Sequence, residues 1–217
     1  MANGRATASE SVDSPRWRRL EPDERREQIL TCAVRLFGER PYAEVSTTDL
    51  ARAAGVARGL INHYFGTKKD LYLEVVRIMA TIPEFAVEQL PDADIATRVH
   101  ASVTWFLDTV SRLARPWLAT VGAEGVGRDR DVERVLAEAD EVIADRVLVA
   151  VGLDDVVQHR EELRAMIRAY AMLARAAARE WLDRGALTRE DAHDLCSTAL
   201  LAMVEQVFPR VRATSSS

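Results

Sequence analysis

The amino-acid sequence predicts an all-α fold with about nine helices. Apolar residues recur at helical spacing along nearly the whole chain, and no alternating segment rich in Val, Ile and Thr indicates a strand. The 217 residues are 48% hydrophobic and 29% charged, which is typical of a protein that buries a core. No segment repeats at the period of a solenoid, so a repeat architecture is excluded.

The chain shows no sign of a membrane or secretory segment. No apolar run reaches the roughly 20 residues that a membrane-spanning helix needs. The N-terminal stretch has no apolar run after its charges, so it does not have the pattern of a secretory signal. We therefore expect a cytoplasmic protein without a membrane partner.

Two helices are predicted at the front of the chain. The first should begin at Pro22, because proline is favoured in the first turn of a helix, and it should end near residues 38–41. The second is short and should start at Ser46 or Thr47. Asp49 stands three residues after Ser46, which is the spacing of a capping box.

The next two helices follow closely. Gly55 ends the second helix, because glycine readily adopts the left-handed conformation found after helices. A third short helix is expected over 58–65. Thr67 and Asp70 form another capping box, which opens a fourth helix that Pro83 interrupts or kinks.

The second half of the chain predicts longer helices, each with its apolar residues on a single stripe. Gly185 should end the longest of them, and Thr188 with Asp191 should open the last. The expected helices span residues 94–113, 130–150, 155–184 and from 188 to just before Pro209, with a short piece from Pro116 and a connecting loop at 122–127.

The segment around Gly55 has the pattern of a helix-turn-helix. Gly55 lets the chain reverse within a few residues, and the small or apolar residues beside it allow the two helices to pack together. At about 100° per residue, Ile61 and Phe65 lie on the inward face of the second helix of this motif. Gly59 and His63 then point most directly outward.

This outward face suits the major groove of DNA. Gly59 permits a close approach, and the side chains of Asn62 and His63 can reach base edges. Between Leu50 and Lys69 the sequence contains four basic residues and no acidic one. The residues expected to contact DNA, at base edges or phosphates, are Thr47, Thr48, Arg58, Gly59, Asn62, His63, Tyr64 and Lys68.

Several motifs occur here in a fixed order: AxxLF at the end of the first helix, a hydroxyl residue followed by DLAxxAGV, then HYF, and KxxL. With these motifs, residues 25–72 resemble the DNA-binding head of the TetR-like (tetracycline-repressor) family of bacterial regulators. In that family, residues matching the eight candidates contact operator DNA. Ala57, Leu60 and Asn62 depart from the family pattern of Ser, Thr or Tyr, so the base-reading set is this chain's own.

The resemblance implies a homodimeric, ligand-responsive repressor that binds a palindromic double-stranded operator and is released by a small molecule. Bulky side chains in the second half are numerous enough to line a cavity for a largely apolar ligand, and three polar residues lie beside the apolar stripe of their helix. The candidate ligand-binding residues are His100, Thr104, Trp105, Asp108, Trp117, Met166 and Tyr170.

The last two long helices are expected to form the dimer. Small residues at helical spacing would let them approach the same helices of a second copy. The alternative is that these stripes pack inward on their own chain. The candidate interface residues are Ala174, Ala178, Trp181, Ala199 and Ala202.

These observations suggest four segments: a flexible arm over 1–20, a helix-turn-helix domain over 21–67, a ligand-binding and dimerisation domain over 68–210, and a flexible tail over 211–217. Two other functions remain as alternatives, a small all-α enzyme and an interaction module built on the C-terminal helices. The enzyme would need a motif such as HExxH or GxSxG, and none is present. We therefore expect no catalytic residue, no cofactor and no metal ligand.

Overall fold

The computed structural model describes residues 21–118, 129–156 and 158–214, with side chains as far as residue 211. These residues are helical and include no strand, which confirms the all-α prediction. None of the helices among them is long and apolar enough to cross a lipid bilayer. The predicted arm over 1–20 and the loop at 122–127 lie outside the described residues.

The front of the described chain is a compact head of four helices. Capping boxes open three of them: Glu21 with Glu24, Ser46 with Asp49, and Thr67 with Asp70. Each box satisfies amides that a helix start leaves without partners, and so fixes where the helix begins. The elements are α1 (Pro22–Glu39), a 3₁₀ turn (Tyr42–Glu44), α2 (Thr47–Ala53), α3 (Arg58–Phe65) and α4 (Lys68–Ala80).

The head has its own hydrophobic core, to which α1, α2 and α3 each contribute their inward face. Two residues of α4 complete it, Leu71 and Val75, neither of which has any exposed surface. The fully buried members from the first three helices are Ile29, Ala33, Leu50 and Ile61. Because these side chains interlock, the orientation of α3 relative to α1 is set by packing rather than by the turn alone.

The remaining helices form the body. A second core joins α6, α8, α9 and α10 through residues such as Leu107, Leu148, Ile167 and Leu200. The elements are α5 (Glu84–Glu88), α6 (Ile95–Arg112), α7 (Ala114–Trp117), α8 (Arg130–Ala150), α9 (Arg160–Leu182), α10 (Arg189–Ala202) and α11 (Phe208–Thr214), with a π-helical segment (Met203–Val207) between the last two.

Two of the predicted helix ends are wrong. Helix α9 begins at Arg160 rather than near 155, because the preceding turn includes Gly152 and His159 with φ angles of 72° and 60°. The last helix does not stop before Pro209, since the chain continues through the π-helical segment into α11. Pro209 directly follows the π-helical segment, which ends with the Phe208 amide donating to the Met203 carbonyl. The predicted tail is therefore helical as far as Thr214.

Helix α4 belongs to both parts of the molecule. Its first half contributes to the head core, whereas Val76 packs against Val132 and Val135 of α8. The ammonium group of Lys69 donates a hydrogen bond to the Asp131 carboxylate and lies 3.1 Å from a carboxylate oxygen of Asp129. These contacts join the head to the start of α8. The proposed domain boundary after residue 67 stays a prediction.

Candidate functional site

Helices α2 and α3 meet at a tight turn. Gly55 has a φ of 62°, a conformation that glycine adopts without strain, and the Val56 amide donates to the Ala51 carbonyl at 3.0 Å. Leu50 and Ile61 are fully buried between the two helices. The turn and the packing together form the helix-turn-helix that the sequence predicts.

The outer face of α3 is open to solvent. Arg58, Gly59, Asn62 and His63 are exposed, while Tyr64 is half-buried with its ring centroid 5.1 Å from that of His63. A Cβ atom placed on Gly59 would meet no atom within 4 Å. The predicted exposure is therefore confirmed. The face has hydrogen-bonding side chains around Gly59, where the helix backbone can come close to DNA.

Some charged side chains around this face form ion pairs and others do not. Arg58 forms no ion pair with any described residue, so its guanidinium group is available to an anion. The nearby acid Asp49 lies 3.5 Å from Arg40 and 3.4 Å from Arg52. Hydrogen bonds from Ser46, together with these two guanidinium groups, lower the pKa of Asp49, which stays ionised as the capping carboxylate.

Lys68 is held more tightly than the sequence suggests. Its ammonium group donates to the carbonyls of Tyr42 and Val45, each at 2.9 Å, and lies 4.0 Å from the centre of the Tyr42 ring. Lys68 thus ties the start of α4 to the 3₁₀ turn. An ammonium group has three donors, so one remains for a phosphate, and that role stays a prediction.

Two threonines stand in the first turn of α2. Thr48 is exposed and Thr47 is half-buried, both one to two residues after the capping Ser46. The Ser46 hydroxyl accepts the Asp49 amide at 3.1 Å, so Ser46 itself is occupied by the capping box. The threonine hydroxyls remain candidates for phosphate contacts, as predicted.

The body encloses a cavity of about 470 Å³. Its lining is almost entirely apolar and comes from the end of α4, the segment that follows it, and α6 to α10. Three of the predicted ligand residues line it, namely Trp105, Trp117 and Tyr170. Burial raises the pKa of the Tyr170 hydroxyl well above its usual range, with a smaller contribution from Cys196. The hydroxyl is therefore a neutral hydrogen-bonding group.

The other predicted ligand residues lie elsewhere. The rings of His100 and His193 are stacked at 5.4 Å, and the Thr104 hydroxyl lies 3.2 Å from Nε2 of His193. The Asp108 carboxylate accepts a hydrogen bond from Arg189 at 2.6 Å. All three residues of α6 therefore face α10 and lie outside the lining of this cavity, so the geometry does not support the prediction that they orient its ligand. Met166 packs against the body core and does not line the cavity.

The polar candidates of α6 lie on the flank away from the cavity, whereas Trp105, also predicted, lies on the cavity flank. The buried stripe of this helix is Val99, Val103, Leu107 and Val110, and the predicted polar residues flank it on one side. The cavity lies along the other flank. The α6 residues that line the cavity also recur at helical spacing, and this periodicity is visible in the sequence. Nothing in the sequence shows which flank of the helix the cavity occupies. The lining residues on this flank are Ser102, Trp105, Thr109 and Arg112.

The ligand-site prediction also missed the end of α4 and the segment that follows it. Ile78 and Phe85 line the cavity and are 41% and 52% exposed, so they stand where the cavity meets solvent. A proline between them, Pro83, lines the cavity as well. The sequence signal was that apolar residues, Ile82 and Phe85, stand on both sides of Pro83. The prediction used Pro83 only as the point where the fourth helix is interrupted or kinked.

Two of the five predicted dimer residues, Ala174 and Ala178, are already buried in the single chain. Ala174 is 7% exposed and lines the cavity, while Ala178 has no exposed surface and packs with Val110 and Trp117. A side chain without exposed surface cannot contact a second chain, so the interface prediction is wrong for Ala178. Ala174 faces the cavity, so the structure does not support a place for it in the interface. Trp181 is half-buried against the core of its own chain.

A different stripe of α9 is open. Ala165, Ala169, Met172 and Ala176 are exposed at helical spacing, with Met172 at 61%. On the adjacent α10, Leu195 is 45% exposed. Ala199 and Ala202 are half-buried beside it and remain candidates. We call these exposed, largely apolar residues of the two adjacent helices the α9–α10 face.

Comparisons with known proteins agree with this architecture. The sequence model of the family described as bacterial regulatory proteins, tetR family, matches residues 29–75. The chain is 42% identical over 84 residues to the HTH-type transcriptional regulator BetI of Agrobacterium fabrum, a match that spans 36% of this chain and only 41% of that relative. It is 26% identical to the HTH-type transcriptional activator FasR of Mycolicibacterium smegmatis over 171 residues, 77% of each protein.

A solved structure extends the likeness to the body. A tetR-family transcriptional regulator from Streptomyces coelicolor superposes with a TM-score of 0.66, covering 91% of this chain and 90% of that one at 22% identity. The helix-turn-helix, the helical body behind it and the family match over the head all lead to the same assignment. Residues 29–75 therefore match the tetR family of bacterial regulatory proteins, and the chain as a whole has the fold of a solved tetR-family regulator.

Proposed function

We propose that this protein is a sequence-specific DNA-binding transcriptional regulator rather than an enzyme, most simply a repressor released from its operator by a small molecule. The observation that supports it best is the outer face of α3. Asn62 and His63 are exposed there beside Gly59, which leaves the helix backbone open to close approach. Such a face fits the major groove, where side-chain amides and imidazoles can pair with base edges. Its place of action would be the cytoplasm, where bacterial DNA lies.

The protein would act as a homodimer. The α9–α10 face offers exposed apolar surface on two adjacent helices, which a two-fold copy would cover as a four-helix seam. A dimer would present two α3 helices to successive major grooves, about 34 Å apart on B-DNA. The operator would then be a palindrome.

Helix α4 would connect the cavity to the DNA-binding head. Its last residues, Ile78 to Ala80, line the cavity, and its first half belongs to the head core. A ligand that fits only one position of α4 would shift the separation of the two α3 helices, provided that its affinity differs between the two states. A coupling of about 1–3 kcal/mol would change DNA affinity by about 5–150-fold.

Selection of duplexes from a random-sequence pool tests the proposal. We expect the protein to recover a palindromic site and to protect both half-sites in a footprint, because two identical α3 helices would read them. The matched control is an Asn62→Ala, His63→Ala double variant, which should recover no common sequence. Failure of the unmodified protein to enrich any sequence would overturn the assignment of α3 as a recognition helix.

A further inference from the structure

We propose that the cavity of the body takes an amphipathic anion, a molecule with an apolar body inside the cavity and one negatively charged group at Arg112. The inference rests on the proposed function, since it names the class of ligand to which the regulator would respond. It comes from the distribution of charge around the cavity.

Among the described residues that line the cavity, the two charged ones are the cations Arg112 and Arg175, and none is a carboxylate. Arg175 is already engaged, because it donates to the Asp140 carboxylate at 2.8 Å and to the Met172 sulfur at 2.9 Å. Arg112 forms no hydrogen bond or ion pair with any described residue. Of the described lining residues, Arg112 is therefore the one whose positive charge has no partner.

The position of Arg112 separates the two parts of such a ligand. Arg112 occupies the last position of α6 and is exposed, so its guanidinium group lies where the cavity meets solvent. A charged group bound there would keep part of its hydration, which avoids the large cost of burying an ion. A guanidinium group also matches the geometry of a carboxylate, to which it donates two parallel hydrogen bonds.

The interior of the cavity calls for an apolar body. Trp105, Phe106 and Trp117 line it together with aliphatic side chains, and the volume of about 470 Å³ falls in the range of small-molecule sites. Tyr170 supplies a hydroxyl that has no hydrogen-bond partner among the described residues. None of the described lining residues is acidic, so no carboxylate among them would attract a cation. An amphipathic amine would instead meet the like charge of Arg112.

Binding of three chain-matched probes tests the inference. Dodecanoate, dodecanol and dodecylammonium share one apolar chain and differ only in the charge of the head group. Calorimetric titration of the full chain, below the micelle concentration of each probe, should rank dodecanoate first, ahead of dodecanol by about two- to five-fold, as expected for an exposed ion pair. Dodecylammonium should bind weakest. Added salt should reduce the differences in affinity among the three probes, because it screens the charge of Arg112.

Two variants locate the charge. Arg112→Gln should remove the preference for dodecanoate over dodecanol. Arg112→Glu should make dodecylammonium the probe with the highest affinity. Arg115→Gln is the matched control, because Arg115 is an exposed arginine three residues further along that does not line the cavity. The control should keep the order of the unmodified protein. Unchanged melting temperatures would show that each variant is folded, and Arg112→Glu provides a second readout if Arg112→Gln alters the fold.

Three results would overturn the inference: equal binding of dodecanoate and dodecanol, an unchanged preference in both Arg112 variants, or no binding of any probe. The assay contains no DNA, so its outcome is independent of the regulator assignment. If dodecanoate binds as expected but leaves operator affinity unchanged, the ligand class stands and ligand-responsive release is wrong. If the operator is bound and no probe enters the cavity, the DNA-binding function stands and the ligand class is wrong.

Discussion

Asn62 and His63 are exposed because their neighbours in α3 are buried. Ile61 has no exposed surface and Phe65 is 9% exposed, so one turn of α3 is anchored on its inner side by two large apolar residues. With the inner side fixed, the helical repeat directs the side chains of the two polar residues away from the head. Their exposure is thus a consequence of how Ile61 and Phe65 pack in the head core rather than of their own polarity.

Asn62→Ala should weaken binding to the selected operator by about 1–3 kcal/mol, because a lost base-edge contact has that magnitude. Binding to a random duplex should stay nearly unchanged, since phosphate contacts account for non-specific affinity. Fluorescence anisotropy with both duplexes at one salt concentration measures the two losses side by side. An equal loss on both duplexes would show that Asn62 does not read sequence.

The Gly59→Ala variant should change the free energy of unfolding and the operator affinity in opposite directions. Gly59 lies inside α3, its φ is not in the left-handed region, and the added methyl group would meet open space. Alanine should therefore raise the free energy of unfolding by about 0.5–1 kcal/mol, the usual difference between the two residues in a helix. The same methyl group would stand between α3 and the groove, so operator affinity should fall. Urea unfolding and anisotropy give the two quantities, and an unchanged affinity would mean that Gly59 does not face the DNA.

At the scale of elements, α1 and α7 approach each other unusually closely. A Cβ atom on Gly38 would lie 2.6 Å from the Cα atom of Pro116. Two carbon atoms that are not bonded to each other cannot approach so closely without a shift of the backbone. Pro116 precedes Trp117, a residue of the cavity lining. The end of α1 therefore packs directly against the helix that closes one side of the cavity, a second link between body and head besides α4.

Gly38→Ala should force α1 and α7 apart and lower the free energy of unfolding by about 1–3 kcal/mol, as overpacking generally does. The effect is opposite in sign to that of Gly59→Ala, although both replace a helical glycine by alanine. Thermal unfolding of the two variants beside the unmodified chain provides the comparison. A Gly38→Ala variant as stable as the parent would show that the close packing of α1 on α7 does not exist in solution.

At the scale of the whole molecule, the exposed apolar α9–α10 face would be covered by a second copy. Ala169→Arg places a long charged side chain in the middle of this face and should convert a dimer into a folded monomer, with a parallel loss of operator affinity. Light scattering at micromolar concentration measures the mass, and circular dichroism measures the helix content. Ala137→Arg, on an exposed position of α8, is the control and should remain dimeric. A monomeric unmodified protein would contradict both the dimer and its two-groove binding.

The sequence by itself determined where most helices begin and which of them form the helix-turn-helix. Ser46, Thr67 and Thr188 each have an aspartate three residues later, and all three pairs form capping boxes in the structure. Such signals are local, because the partner of each amide lies within one helical turn. The glycine at the turn, Gly55, acts in the same local way.

Only the tertiary structure decided which flank of each long helix meets which neighbour. A stripe such as that of α6 shows that the helix is buried on one side, but its two flanks look alike in sequence, so His100 was placed at the cavity in error. The same ambiguity put Ala178 at the dimer surface, although it has no exposed surface, while the exposed Ala169 and Met172 were passed over. The physical reason is that periodicity fixes a side chain's direction relative to its own helix axis, whereas the partner it meets depends on how the helices pack against one another.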